Sequence, residues 1–168
     1  QNVAWAESSA VSYANSVLGA RTNRTPAGLA VCAALTGRIP KFGLYFPENR
    51  KAQVKVTVDA GELSDLDYNT IGIIIGKRVG NYIPAIYGIP QTATNDNLKY
   101  LGAGAASSGS VALWHAVGVT PEALDRDPFD GAEPISEFTI TREMLTETEK
   151  SMCTKNPGEV DLYVTGCP

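Results

Sequence analysis

Cys167 stands in Gly166-Cys167-Pro168, directly after an apolar stretch over 160–164. A thiolate on a turn stiffened by glycine and proline, at the carboxyl end of a strand, is placed where open α/β sheets hold ligands. It suits iron ligation, although a cysteine of this kind also serves as a small buried hydrophobe. Cys32 lies beside an apolar helical face and reads as core. Cys153 has no CxxC partner and no histidine nearby, which gives it no metal role. The single histidine, His115, shares a strand face with Val111, Leu113 and Val117 and reads as a hydrogen-bonded core residue rather than a base. With no second histidine and no Gly-x-Ser-x-Gly elbow, neither a Ser-His-Asp hydrolase nor a mononuclear zinc site is supplied.

Two cationic stretches suit a small anion: Arg21-Thr22-Asn23-Arg24-Thr25, and Glu48-Asn49-Arg50-Lys51. Guanidinium forks match carboxylate and phosphate geometry, and an asparagine between them can orient a hydroxyl. Their convergence on one anionic substrate is the expectation, with surface salt bridging as the plainer alternative. The glycine-rich run over 102–109 follows a helical pattern instead of opening one, so it reads as helix termination and close packing rather than a phosphate loop.

The elements that must position these residues alternate between helix and strand. Ala10, Ala14, Val17 and Leu18 fit a helix over 4–19 whose opposite stripe is Ser8, Ser12, Asn15 and Gly19. A small, polar stripe of this kind suits close approach of a ligand or of another backbone. Thr25 and Pro26 open a second helix that Gly37 stops. The period-two pattern over 53–58 predicts a strand, with 41–46 a candidate to pair with it. Helices are expected over 66–79, 95–106 and 141–150, and strands over 82–87, 110–117, 136–140 and 160–164. The fold class is therefore α/β, layered helices packed on a mixed, largely parallel sheet.

Composition bounds the function. The 168 residues are 43% hydrophobic, enough for one packed core, and 14 Lys and Arg against 18 Asp and Glu leave a net charge of -4 without long runs of either sign. That balance argues against nucleic acid and against an anionic membrane surface as partners. The longest apolar stretch, over 71–75, falls far short of the ~20 residues of a membrane span. Three widely spaced cysteines do not form a secretory disulfide framework and point to a reducing, cytoplasmic setting. The opening on Gln1 and the close just after an apolar run suggest an excised portion of a longer chain, incomplete at both ends.

Taken together, 4–11 and 13–24 closely resemble the signature of the aconitase X large subunit. The likeness continues through 34–38, 48–50, Leu113-Trp114-His115, 118–123 and Gly166-Cys167-Pro168. The resemblance implies an aconitase-like fold and a hydro-lyase in which cysteines hold an iron-sulfur cluster whose iron acts as Lewis acid on the departing hydroxyl. It makes Cys167 the cluster ligand and Glu7, Ser8, Asn15, Ser16, Arg21, Asn23 and Arg24 the wall that binds substrate. It also implies that the other thiolates, and a small swivelling subunit or fused domain that closes the site, come from outside this sequence, leaving this portion inactive alone.

Members of that family dehydrate either mevalonate 5-phosphate or cis-3-hydroxy-L-proline. Gly43-Leu44-Tyr45 with Glu48-Asn49-Arg50 leans toward the first, whereas Cys32 before Ala33-Ala34-Leu35 resembles the second. The rival from another class is a non-catalytic module that binds small anions on the same scaffold. A nucleotide-dependent oxidoreductase ranks last, because no glycine fingerprint follows the first strand.

Overall fold

The computed structural model describes residues 10–153 together with Gly158, Leu162 and Val164. Glu7, Ser8, Cys167 and most of the expected strand over 160–164 lie outside them. The elements are α1 (Ala10–Ser16), α2 (Ala27–Thr36), 3-10 turns at Gly43–Tyr45 and Pro47–Arg50, β1 (Val54–Asp59), α3 (Asp65–Val79), β2 (Pro84–Tyr87), α4 (Asn95–Gly109), β3 (His115–Ala116), β4 (Ser136–Thr141) and α5 (Arg142–Met152). The four strands form one sheet in the order β3-β2-β1-β4, with every pairing parallel. Among the described residues the largely parallel sheet is thus wholly parallel.

Local chemistry explains the best-defined helices. Ser64 caps α3 by accepting the Asp67 amide while the Asp67 carboxylate accepts the Ser64 amide at 2.7 Å. Thr94 and Asn97 repeat this reciprocal box at the start of α4. Asp65 and Asp67 in the first turn of α3, and Lys77 and Arg78 in its last, complement the helix dipole. Burial pushes the Asp67 carboxyl up, but the Ser64 hydroxyl and amide, with the Arg142 guanidinium 2.6 Å away, outweigh it and hold the group below its usual range. Arg142 opens α5, so this contact also ties α5 to α3.

Val54, Val56 and Val58 alternate along β1 toward the helices, where they meet Ile71, Ile74 and Ile75 of α3 and Leu98, Leu101 and Ala105 of α4 in the main core. The two helices touch backbone to backbone. A Cβ added to Gly72 would stand 2.8 Å from the Ala105 amide nitrogen, and one added to Gly76 would stand 2.7 Å from that of Gly109. The glycine-rich run is therefore close packing, as expected, although α4 continues through it to Gly109 instead of ending at 106. Gly76→Ala forces this seam apart and is expected to destabilise the protein by about 2–3 kcal/mol, the upper range of overpacking effects. Urea unfolding within 0.5 kcal/mol of wild type, roughly the scale of a neutral surface change, would show the seam to be pliable.

Four local expectations need correction. The segment 41–46 does not pair with β1: Asn23 Nδ2 donates to the Phe42 carbonyl at 2.7 Å and Asn23 Oδ1 accepts the Leu44 amide at 2.7 Å, which folds 43–45 into a 3-10 turn. The cap of α2 is Pro26, without a side-chain bond, rather than Thr25, whereas Gly37 does end the helix in the left-handed conformation. Cys32 is exposed and not core, because Ala30 is the one buried residue of α2 and Val31 and Leu35 are 57% and 82% exposed. The extended segment 110–117 contributes only His115 and Ala116 to the sheet. Before them, side chains of α1 replace the strand ladder: Ser16 Oγ accepts the Trp114 amide and Asn15 Nδ2 donates to the Ala112 carbonyl.

Candidate functional site

The polar stripe of α1 meets another backbone. Ser12, Asn15 and Ser16 are all buried, and Ser12 Oγ accepts the Trp114 indole N–H at 3.1 Å. Asn15 engages every group it has: its amide nitrogen donates to the Thr22 and Ala112 carbonyls, and Oδ1 accepts from the Thr22 amide and from Arg50 Nη1. One side chain thus grips Thr22 on both sides and fixes the segment that carries Arg21, Asn23 and Arg24.

That segment borders a cleft of about 380 Å³ lined in part by Asn23, Arg24, Asn49, Gln53 and Tyr82. Arg24 is the cation in its lining, and its guanidinium donates to the Ser110 carbonyl. Gln53 and Ile83 immediately precede β1 and β2, so the cleft sits at the amino-terminal edge of the sheet. A second hollow of about 420 Å³, reached from the loops after β2 and β3 and including Gln91 and Thr120, carries no charged side chain. An anion is better served at the amino edge, although open parallel sheets usually place ligands at the other. Beside Thr22, Arg21 Nη1 is buried and has no hydrogen-bond partner among the described residues.

The two cationic stretches meet at the amino-edge cleft through Asn23, Arg24 and Asn49, but the cations of the second stretch, Arg50 and Lys51, are not in its lining. Arg50 is 3% exposed and turned inward, with all five of its N–H groups committed. Nε reaches both Glu122 carboxylate oxygens at 2.9 Å, and Nη2 reaches Oε1 at 2.6 Å. Nη1 donates to Asn15 Oδ1 and the Leu44 carbonyl, and Nη2 to the Asn15 and Ala20 carbonyls. Lys51 is spent on Asp130 at 2.5 Å. Glu122 is the residue that sequence reasoning missed as a partner, because 72 positions separate it from Arg50 and no local pattern links them.

His115 behaves as the sequence suggested. It is 2% exposed, and its Nε2 lies 2.8 Å from the Arg50 carbonyl, which makes Nε2 the protonated nitrogen of the neutral ring. Burial pushes the imidazole below its ordinary value of 6.5, against the opposing pull of the Arg50 carbonyl and the Glu122 charge. The unfolded chain then binds more protons than the folded one as pH falls through 6.5, so this residue makes stability rise with pH across that window. Melting temperature is expected to fall between pH 7.5 and 5.5 and to fall less in His115→Gln, which keeps an N–H for the carbonyl. Equal slopes in the two proteins would exclude His115 as the origin.

With this geometry in place, similarity to known proteins decides the family. Residues 1–48 match the aconitase X first domain, and residues 52–150 match the aconitase X second domain. The chain belongs to the aconitase X family. A phosphomevalonate dehydratase large subunit of Methanothermobacter thermautotrophicus is 44% identical over 99% of this chain and 40% of its own length. A cis-3-hydroxy-L-proline dehydratase of Pseudomonas aeruginosa is 40% identical over all of this chain and 30% of its own. The crystal structure of Thermococcus kodakaraensis aconitase X in its holo-form superposes with a TM-score of 0.81 at 38% identity, covering 91% of this chain and 38% of that one. The chain therefore spans about 40% of the large subunits that it matches. The aconitase X fold expected from the sequence is the fold observed, and its relatives are dehydratases by name.

Proposed function

We propose that this chain is part of the catalytic large subunit of a hydro-lyase that dehydrates a small anionic hydroxy carboxylate, mevalonate 5-phosphate ahead of cis-3-hydroxy-L-proline. The observation that carries the reading is the Asn15-anchored segment that holds Asn23 and Arg24 on the amino-edge cleft and Arg21 beside them. In this reading Arg21 and Arg24 hold carboxylate or phosphate oxygens, with Arg21 Nη1, which has no partner among the described residues, supplying a donor, and Asn23 shapes the cleft wall. Asn15 and Ser16 stand behind that wall, since their polar groups are engaged with the backbone. Glu7 and Ser8 complete the proposed wall. The preference for mevalonate 5-phosphate rests on Gly43-Leu44-Tyr45 and Glu48-Asn49-Arg50, whose turns adjoin the cleft.

An iron-sulfur cluster is the cofactor proposed for the whole enzyme, where its iron would act as Lewis acid. The described residues do not fit such a group by themselves: no three His, Cys, Asp or Glu side chains among them gather as ligands, and Cys32 is exposed on α2 while Cys153 is exposed just past the end of α5. Cys167, outside those residues, is the proposed ligand, joined by thiolates from beyond this chain. The proposed protein partner is a small subunit or a fused equivalent, because several relatives are large subunits by name. No helix among the described residues is long and apolar enough to cross a membrane, and the cysteine usage supports a cytoplasmic setting.

The test is anaerobic iron and sulfide quantification on the full-length large subunit with its small partner, followed by dehydration assays on both substrates. Cluster together with turnover of one substrate supports the hydro-lyase and selects the subfamily. Protein that takes up no iron under reducing reconstitution, yet binds either anion, overturns it in favour of an anion-binding module.

A further inference from the structure

We infer that Glu122 is a positioning residue which, through Arg50 and Asn15, holds 20–24 in the conformation that meets substrate. The inference rests on the reading of that segment as the substrate wall. The relay is continuous. The Glu122 carboxylate takes the Arg50 Nε and Nη2 edge at 2.6–2.9 Å, and Arg50 Nη1 reaches Asn15 Oδ1 at 3.2 Å. That same Oδ1 accepts the Thr22 amide at 3.0 Å, while Asn15 Nδ2 returns 3.0 Å to the Thr22 carbonyl. Arg50 Nη2 also donates directly to the Ala20 carbonyl at 3.2 Å, one residue before Arg21.

The carboxylate is the only anionic group in this relay, and every other acceptor on Arg50 is neutral. Without it, a buried guanidinium competes more strongly for Asn15 Oδ1 and for main-chain oxygens, and the Thr22 amide loses its share. Glu122 sits in a turn braced from both ends. The Gly118 amide donates to the Ala123 carbonyl at 2.8 Å, and the neighbouring Pro121 lies so near Gly19 that a Cβ there would stand 3.3 Å from the proline ring. The turn and the wall segment are thus neighbours in space as well as partners in charge. Arg50 itself falls between the two stretches that match the family's first and second domains, so the latch joins them.

The experiment compares wild type, Glu122→Gln and Glu122→Asp as the full-length large subunit with its small partner. Hydrogen-deuterium exchange is read on a peptide covering 20–24, and steady-state kinetics on whichever candidate substrate turns over. Glu122→Gln is expected to raise exchange in that peptide about tenfold and KM about tenfold, with kcat within about twofold, and Glu122→Asp to recover part of both. Unchanged exchange over 20–24 overturns the inference regardless of activity. Faster exchange with unchanged KM also overturns it, and Arg24→Ala then locates the fault. If Arg24→Ala raises KM, the latch is at fault; if it does not, the reading of the wall is.

Discussion

Replacing Arg50 by alanine is expected to cost about 3–5 kcal/mol, the range for breaking a buried ion pair from one side. The expectation follows from what the side chain leaves behind. Three main-chain carbonyls, of Asn15, Ala20 and Leu44, lose a charged donor, and the Glu122 carboxylate loses its counter-ion. Each orphaned acceptor costs about 1–3 kcal/mol, partly offset where Glu122, 22% exposed in its side chain, regains water. Against a total stability of roughly 5–15 kcal/mol for a native protein, such a loss leaves the variant marginal.

Arg50→Lys keeps the charge but not the fork, so it restores only one or two of the five donor positions and is expected to recover less than half of the loss. Urea unfolding followed by tryptophan fluorescence reads both variants, with Trp114 reporting from the same region through its bonds to Ser12 and Ser16. If Arg50→Ala unfolds within about 1 kcal/mol of wild type, water reaches these groups and the network is not the clamp described.

What the sequence made legible was local. Ser64 with Asp67, three residues apart, announces the start of α3, and Gly37 announces the end of α2, because capping needs only neighbours in the chain. The alternation of β1 could be read because one sheet face is buried and the other half-open. Long-range pairing was not legible. Residues 111–114 carry strand composition, yet Asn15 and Ser16 supply hydrogen bonds that a sheet neighbour would otherwise make, across 97 and 98 positions. Asn23 likewise folds 43–45 into a turn from about twenty residues away, a choice that no propensity of 41–46 contains.

The candidate site divides along the same line. The small polar stripe of α1 correctly signalled close approach, but Ser and Asn spacing does not distinguish a backbone from a ligand, and the structure gives Asn15 a backbone. Arginine within a cationic stretch does not disclose its burial. Arg24 faces the cleft while Arg50 faces Glu122, and the difference lies in a carboxylate 72 residues downstream. Cys32 shows the converse: an apolar helical face reads as core only if something packs on it, and among the described residues only Ala30 is covered.

On the proposed assignment of Cys167 as a cluster ligand, Cys167→Ala in the full-length enzyme is expected to reduce cluster iron to near zero. An iron-sulfur cluster is held by three or four thiolates, and loss of one leaves too few to retain it through purification. The assignment comes from the Gly166-Cys167-Pro168 likeness, and the structure supplies the controls. Cys153 stands exposed at the end of α5 with its Sγ directed to the Glu149 carbonyl at 3.5 Å, and Cys32 is exposed on α2 with its neighbour Thr36 bonded to its carbonyl. Neither belongs to a group of three potential ligands among the described residues. Cys153→Ala and Cys32→Ala are therefore expected to retain nearly the wild-type iron and sulfide content. Sulfide and iron measured per protein, with the visible absorption of the cluster, separate loss of ligation from loss of folding, because a folded Cys167→Ala protein keeps its melting transition. Equal iron loss in Cys153→Ala and Cys167→Ala would remove the distinction between the two thiols, and with it the assignment of Cys167.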